Sequence, residues 1–223
     1  MLIEIHMIQN HGPSNLNRDD LGAPKTCLFG GVTRARISSQ CLKRSIRRSP
    51  EFQELLKQGG GVRTRRLVFE IAKAAAGREE PPNDLLKRIR EVFEDGGVTF
   101  PKEPPKDDPH RMEILWFVPD SAIKEMGEAA KKPDGEDLAQ RFAAILKIQA
   151  AVPDIALSGR MTEFAAKGAF DKLDLRVEAA LSAAHAISTH EALNEVDYFT
   201  AVDDRADGTG AGHVNEAMYA SAC

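Results

Sequence analysis

Between Val32 and Arg48 the chain changes its hydrophobic period, and no other stretch constrains the fold more. Val32-Thr33-Arg34-Ala35-Arg36-Ile37 alternates apolar and polar residues, the period-two pattern of a short strand. Ser38 or Ser39 can then cap a helix, because a serine oxygen accepts a free backbone N–H of the first turn. At about 100° per residue, Leu42 and Ile46 share one side of that helix. Gln40, Lys43, Arg44 and Arg47 cluster in an arc on another side. One face can pack on a sheet while the other presents three cations and an amide. Ser49-Pro50-Glu51 then reads as a new N-cap with proline at the first helical position, opening a second short helix over EFQELLKQ. Gly59-Gly60-Gly61 ends it.

The flanks differ from the middle. Met1 to Asn10 alternates with an apolar bias and predicts a central β-strand. Residues 11–31, rich in Gly, Pro, Asn and Asp, predict a long loop of the kind that carries function. Residues 62–76 and 83–94 have helical spacing, 95–110 form a Pro-rich breaker, and helical patterns return at 120–131 and 136–150. The stretch 60–150 therefore reads as a helical insertion between strand-rich flanks. Pro153 to Met161 predicts a short strand running into a turn. Residues 179–191 suit a helix by their alanines and a buried strand by their alternation, and propensity does not decide between them. Residues 197–221 predict a hairpin with a long Gly/Asp-rich tip.

Charge is unevenly spread. The whole chain holds 30 Lys+Arg against 34 Asp+Glu, a formal −4 that taken alone argues against a nucleic-acid binder. Residues 1–73 hold 13 basic and 6 acidic residues, however, and residues 74–223 hold 17 and 28. A front segment at +7 joined to a remainder at −11 is the signature of a polyanion-binding region on an acidic body. Residues 33–49 contain six basic residues and no acid. No run approaches the ~18 apolar residues of a membrane span, and the N-terminus lacks the features of a secretory signal. Cys27, Cys41 and Cys223 form neither a disulfide framework nor a CxxC zinc pattern, so a reducing, cytoplasmic setting is the expectation.

Enzymatic signatures are weak. There is no Walker A loop, and GTGAG at 208–212 lacks a following helix. His185 and His190 do not form an HExxH pair, and neither a metal site nor a cofactor is expected. The pairs Asp19-Asp20 and Asp203-Asp204 could hold a divalent metal for phosphodiester cleavage, but loop anchoring or salt bridging explains them as well. What remains is an electrostatic site. Cations from Arg18 to Arg47 can neutralise successive phosphates, and Ser38, Ser39 and Gln40 can add neutral hydrogen bonds. Met161 and Phe199, on protruding segments, can wedge between bases. Such a site reads backbone rather than sequence.

The segments IEIHMIQNHGPSNLNRDD, KTCLFGGVTRARISSQCLKRSIRR, DIALSGRM, AHAISTHE and DYFTAVDD, in this order, resemble the CasC family, the backbone subunit of the type I-E CRISPR surveillance complex Cascade. The resemblance covers most of the two flanks and only loosely the region 60–150. It implies an α+β, hand-like protein: a palm with a modified RNA-recognition (ferredoxin-like) fold, helical fingers and a β-hairpin thumb. On this chain the palm would take 1–59 and 151–191, the fingers 60–150, the thumb 192–219, and 220–223 would begin the return to the palm. It resolves 179–191 in favour of a strand. It also implies a non-enzymatic subunit that lines up in several copies along CRISPR RNA beside other Cascade subunits. The RNA is kinked at regular intervals and the guide bases stay free to pair with target DNA. The phosphate grip would comprise Asn17, Arg18, Lys25, Ser38, Ser39, Gln40, Lys43, Arg44 and Arg47, with Met161 as the wedge. Phe199, Thr200 and Val202 would lie nearest the displaced base. Related type III backbone subunits cleave RNA with a loop aspartate, so a metal-dependent ribonuclease using Asp19 or Asp20 is the alternative; a general scaffold with incidental charge is a third. Family members continue well beyond the hairpin, whereas this chain stops at Cys223, so the resemblance implies a palm without its terminal strands and of lowered stability.

Overall fold

The computed structural model of the chain describes residues 1–56, 59–132, 137–148, 152–171, 173–201 and 213–220. In chain order these hold β1 (Thr26–Phe29), β2 (Val32–Ile37), α1 (Ser39–Arg48), α2 (Pro50–Leu56), β3 (Gly61–Thr64), α3 (Leu67–Ala76), α4 (Asn83–Asp95), β4 (Trp116–Pro119), α5 (Asp120–Ala130), α6 (Leu138–Ile148), α7 (Pro153–Ser158), β5 (Ala186–Ile187), β6 (Asn194–Ala201) and β7 (His213–Ala220). The chain is a mixed α/β protein with small antiparallel sheets. It packs as two compact units, Met1–Ile46 with Ala183–Cys223, and Arg47–Ser182.

In the first unit, β2 has the bounds that its alternation predicts. It pairs antiparallel with β1 on one side and with β5 on the other. Gly30 and Gly31 make the two-residue turn between β1 and β2, both at positive φ (65° and 83°). That geometry matches the twist of a hairpin and favours glycine at both positions. The predicted loop 11–31 is therefore corrected at its C-terminal end, where Thr26–Phe29 is a strand. Ser188 fastens the other edge of β2: its N–H donates to Ala35 O and its Oγ accepts from Ala35 N–H. Only Ala186–Ile187 of the 179–191 segment is strand, and none of it is helix.

Met1–Asn10 is not a strand. Leu2, Ile3, Ile5, Met7 and Ile8 are all exposed, and no other described segment pairs with their backbone. Alternation marks a segment that can enter a sheet, but a strand exists only when a ladder partner is present. β6 and β7 form the predicted hairpin, in register from Asn194↔Ala220 to Ala201↔His213. Its Gly/Asp-rich tip, with Asp203-Asp204 and the GTGAG run, lies outside the described residues, as do residues 221–223.

The second unit is helical around a two-stranded sheet, β3 paired antiparallel with β4. Its core joins Leu67, Val68 and Ile71 of α3, Ile89 and Phe93 of α4, Trp116 and Val118 of β4, Met126 of α5 and Phe142 of α6. The Phe93 ring lies 5.5 Å from Trp116, 5.7 Å from Phe142 and 5.8 Å from Phe170, so one aromatic side chain ties three segments together. α5 approaches α3 closely at Gly127, where a Cβ would stand 2.8 Å from Ala74 Cβ and 3.0 Å from Ala75 N.

Two expectations fail in this unit. The helix expected over 62–76 begins only at Leu67, because Val62-Arg63-Thr64-Arg65 is itself a period-two pattern and Gly61–Thr64 is strand. Thr64 Oγ1 accepts from Arg66 N–H at 2.8 Å and turns the chain from strand to helix. Pro153–Ser158, expected as a strand, is a helix. Proline at its first turn presets a helical φ, Asp154 sits in that turn, and Gly159 stops the helix at φ 76°.

Candidate nucleic-acid interface

In the first unit, the loop before β1 is folded onto the junction between β2 and α1. Asn17 makes the joint: its Oδ1 accepts from Ser38 N–H at 2.9 Å, and its backbone O accepts from Lys25 N–H at 2.8 Å. Arg18 forms an antiparallel bridge with Pro24, and Lys25 O accepts from Arg36 N–H. Asp19 closes the turn from within, since its Oδ1 accepts from Leu21 N–H and Ala23 N–H, each at 2.9 Å. Asn15 Nδ2 adds a bond to Gly22 O. A segment that reads as irregular is thus held by side-chain-to-backbone bonds of the kind asparagine and aspartate form in turns.

The helix that follows is capped as expected. Ser38, 7% exposed, accepts from Cys41 N–H through its Oγ. The first turn of α1 carries no acid, so its free N–H groups and dipole face no opposing carboxylate of their own. Arg18, Gln40 and Arg44 are exposed; Lys25, Ser39 and Lys43 are half-buried. None of Arg18, Lys25, Lys43 and Arg44 has an ion pair among the described residues. Asn17, Arg18, Lys25, Ser38, Ser39, Gln40, Lys43 and Arg44 therefore belong to one unit, in a folded loop and the helix start it is bonded to.

Arg47 belongs to the second unit and is differently engaged. Its side chain is 12% exposed and lies 3.9 Å from the carboxylate of Asp154, which is itself 1% exposed. It donates to Gly61 O and its guanidinium lies 5.1 Å from the Phe117 ring centroid. Both Asp154 oxygens accept from Gly61 N–H at 2.9 Å. Arg47, Gly61 and Asp154 are thereby tied to one another within the second unit.

Met161 is 85% exposed and lines a groove of about 490 Å³ with Arg63, Arg65, Leu115, Phe117 and Arg160 among its walls. Arg160 forms the bed. It is 5% exposed, donates through Nη1 to Phe117 O at 3.0 Å and through Nε to Leu175 O. Burial lowers its pKa, yet an arginine stays protonated at neutral pH. A second groove of similar size adjoins the first and shares Arg63, Arg65 and Leu115, with Arg66, Asp108 and Arg111 also in its walls. Arg63 and Arg65 carry no sequence-based expectation, because the spacing of 62–76 predicts helix; the VRTR alternation is the signal for the strand.

Of the thumb residues, Phe199 and Thr200 lie in β6 opposite Asn215 and Val214, and Val202 lies outside the described residues. No group of three or more His, Cys, Asp or Glu able to hold a metal occurs among the described residues. No described helix is long and apolar enough to cross a membrane.

Comparison with known proteins bears on this arrangement. The chain is similar to a chain of a solved complex described as a CRISPR RNA-guided surveillance complex, pre-nicking. The two are 32% identical with a TM-score of 0.75, over 96% of this chain and 60% of that one. A chain from a second solved CRISPR RNA-guided surveillance complex is 27% identical with a TM-score of 0.64, at the same coverages. The chain thus spans 60% of the length of these solved chains. No curated protein sequence matches it. The family model described as CT1975-like protein, Cas_CT1975, matches residues 3–223, and the chain belongs to this family of CRISPR-associated proteins.

Proposed function

We propose that this chain is a CRISPR RNA-binding backbone subunit of a Cascade-type surveillance complex of the type I-E class. Several copies line up along the guide, kink it at regular intervals and leave its bases free for target DNA. The palm is a modified RNA-recognition fold spanning 1–59 and 151–191, the fingers span 60–150, and β6–β7 is the thumb. The subunit works beside other Cascade subunits and is not an enzyme.

One observation carries the reading: the loop from Asn15 to Lys25 is bonded through Asn17 to the start of α1, so Arg18, Lys25, Gln40, Lys43 and Arg44 are held on a preformed frame. These groups suit phosphate and ribose oxygens, and contacts to those oxygens carry no sequence information. A protein that must accept any guide needs that indifference. The α1 N-terminus adds unpaired N–H donors. Arg47, paired with Asp154, serves structure rather than phosphate. Met161 is exposed as a wedge must be, and Phe199, Thr200 and Val202 remain assigned to the displaced base. The Asp19 carboxylate is committed to its own loop backbone, which supports a structural role over a ribonuclease metal ligand.

The test is a pair of substitutions, Lys43→Gln with Arg44→Gln. Fluorescence anisotropy with a labelled single-stranded RNA should show affinity reduced roughly 10-fold or more near 0.15 M salt. The log–log salt slope should fall by about 1.4, two phosphates at ~0.7 each. Unchanged affinity and slope in a folded variant would reject this site.

A further inference from the structure

We propose that the two adjoining grooves around Arg63 and Arg65 form a second phosphate track for single-stranded RNA. This rests on the RNA-binding reading and extends it to residues that no motif marks. Arg63 of β3 and Arg65 just beyond it both line both grooves, so they stand on one ridge between them. Residues two apart on an extended chain are about 7 Å apart, a spacing that suits successive phosphates of an extended strand. Both arginines are exposed, and neither has an ion pair among the described residues. Arg111, half-buried on the far groove, is likewise without an ion pair among the described residues.

The surroundings favour a nucleic acid over a plain anion. The Arg63 guanidinium lies 4.4 Å over the Phe117 ring, which fixes its plane and leaves its outer face able to stack on a base. Arg160 lies in the bed of the first groove, and its Nη2 is buried without a hydrogen-bond partner. An unused donor on a buried cation is costly unless a ligand or water takes it up. Met161 and Leu115, 85% and 52% exposed, supply apolar contact at the walls. The acids of the track are Glu113 and Glu163 on the first groove and Asp107 on the second; Asp108 is already paired with Arg66 at 3.2 Å. These carboxylates repel phosphate, so the strand is expected to ride the Arg63–Arg65 ridge.

The experiment is RNA binding by the full chain, read by anisotropy across a salt series. Arg63→Gln with Arg65→Gln should weaken binding roughly 10-fold and lower the salt slope by about 1.4. The charge-preserving pair Arg63→Lys with Arg65→Lys should keep that slope. Independently of any loss of fold, Glu113→Gln with Glu163→Gln should tighten binding about threefold. Unchanged affinity in both the arginine-to-glutamine and the glutamate-to-glutamine pairs, with binding still weakened in Lys43→Gln/Arg44→Gln, would overturn the track and leave the RNA reading standing. Wild-type protein that binds no RNA would overturn both. Displacement of RNA by poly-glutamate at equal charge would overturn the track in favour of an acidic peptide.

Discussion

Arg44 and Arg47 stand three residues apart on one helix and face different environments. Arg44 is exposed and without an ion pair among the described residues, while Arg47 is drawn to the buried Asp154. The basic arc read from the sequence groups them, because helical phase shows which side a residue occupies but not what lies opposite. The distinction is measurable. Arg47→Ala leaves Asp154 with only the Gly61 N–H among these partners, and losing the cation of a buried pair is costly even at 3.9 Å. Urea unfolding should show a stability loss of about 2 kcal/mol, whereas Arg44→Ala should stay within about 0.5 kcal/mol. Equal, small effects would mean that the Arg47–Asp154 pair adds little to stability. Asn17 shows the limit of sequence reading in another way. Its partner, Ser38, lies 21 residues on, and nothing in the local pattern announces that bond.

At the scale of elements, local signals read correctly where the cause is local. β2 keeps its predicted bounds because alternation and a following serine cap are both contained in the run. Ser49 caps α2 as expected, accepting from Phe52 N–H through its Oγ. The β6–β7 hairpin is legible for the same reason. The misses have longer-range causes. β3 and β4 are four residues each and exist by pairing across 51 intervening positions of helix and loop, from Gly61↔Pro119 to Thr64↔Trp116. Met1–Asn10 has the pattern of a strand without a described partner. The α7 segment reads as strand because Ile155, Ala156 and Leu157 suit either element, whereas the proline and aspartate ahead of them start a helix. Helix packing gives a test at this scale. Gly127 lets α5 close on α3, and Gly127→Ala would drive a methyl against the Ala74 side chain and the backbone at Ala75. The variant should unfold about 2 kcal/mol more easily by thermal or urea melts. A neutral result would show that the two helices can separate at little cost.

For the whole molecule, a net charge of −4 conceals what matters. The first 73 residues, at +7, contain α1, the folded loop before β1 and the Arg63–Arg65 ridge, so both proposed RNA surfaces draw their exposed cations mainly from the basic third of the chain. The family follows from the match over residues 3–223, and the compositional average alone would have excluded the function that the family suggests. The central claim is that this chain holds RNA by its backbone, without regard to sequence. The most direct test compares two single-stranded RNAs of equal length and unrelated sequence over a range of salt concentrations. The account predicts matching affinities, within about threefold, and a linear fall of log affinity with log salt whose slope corresponds to several phosphates at ~0.7 each. A flat salt response, or a preference of a hundredfold for one sequence, would contradict it.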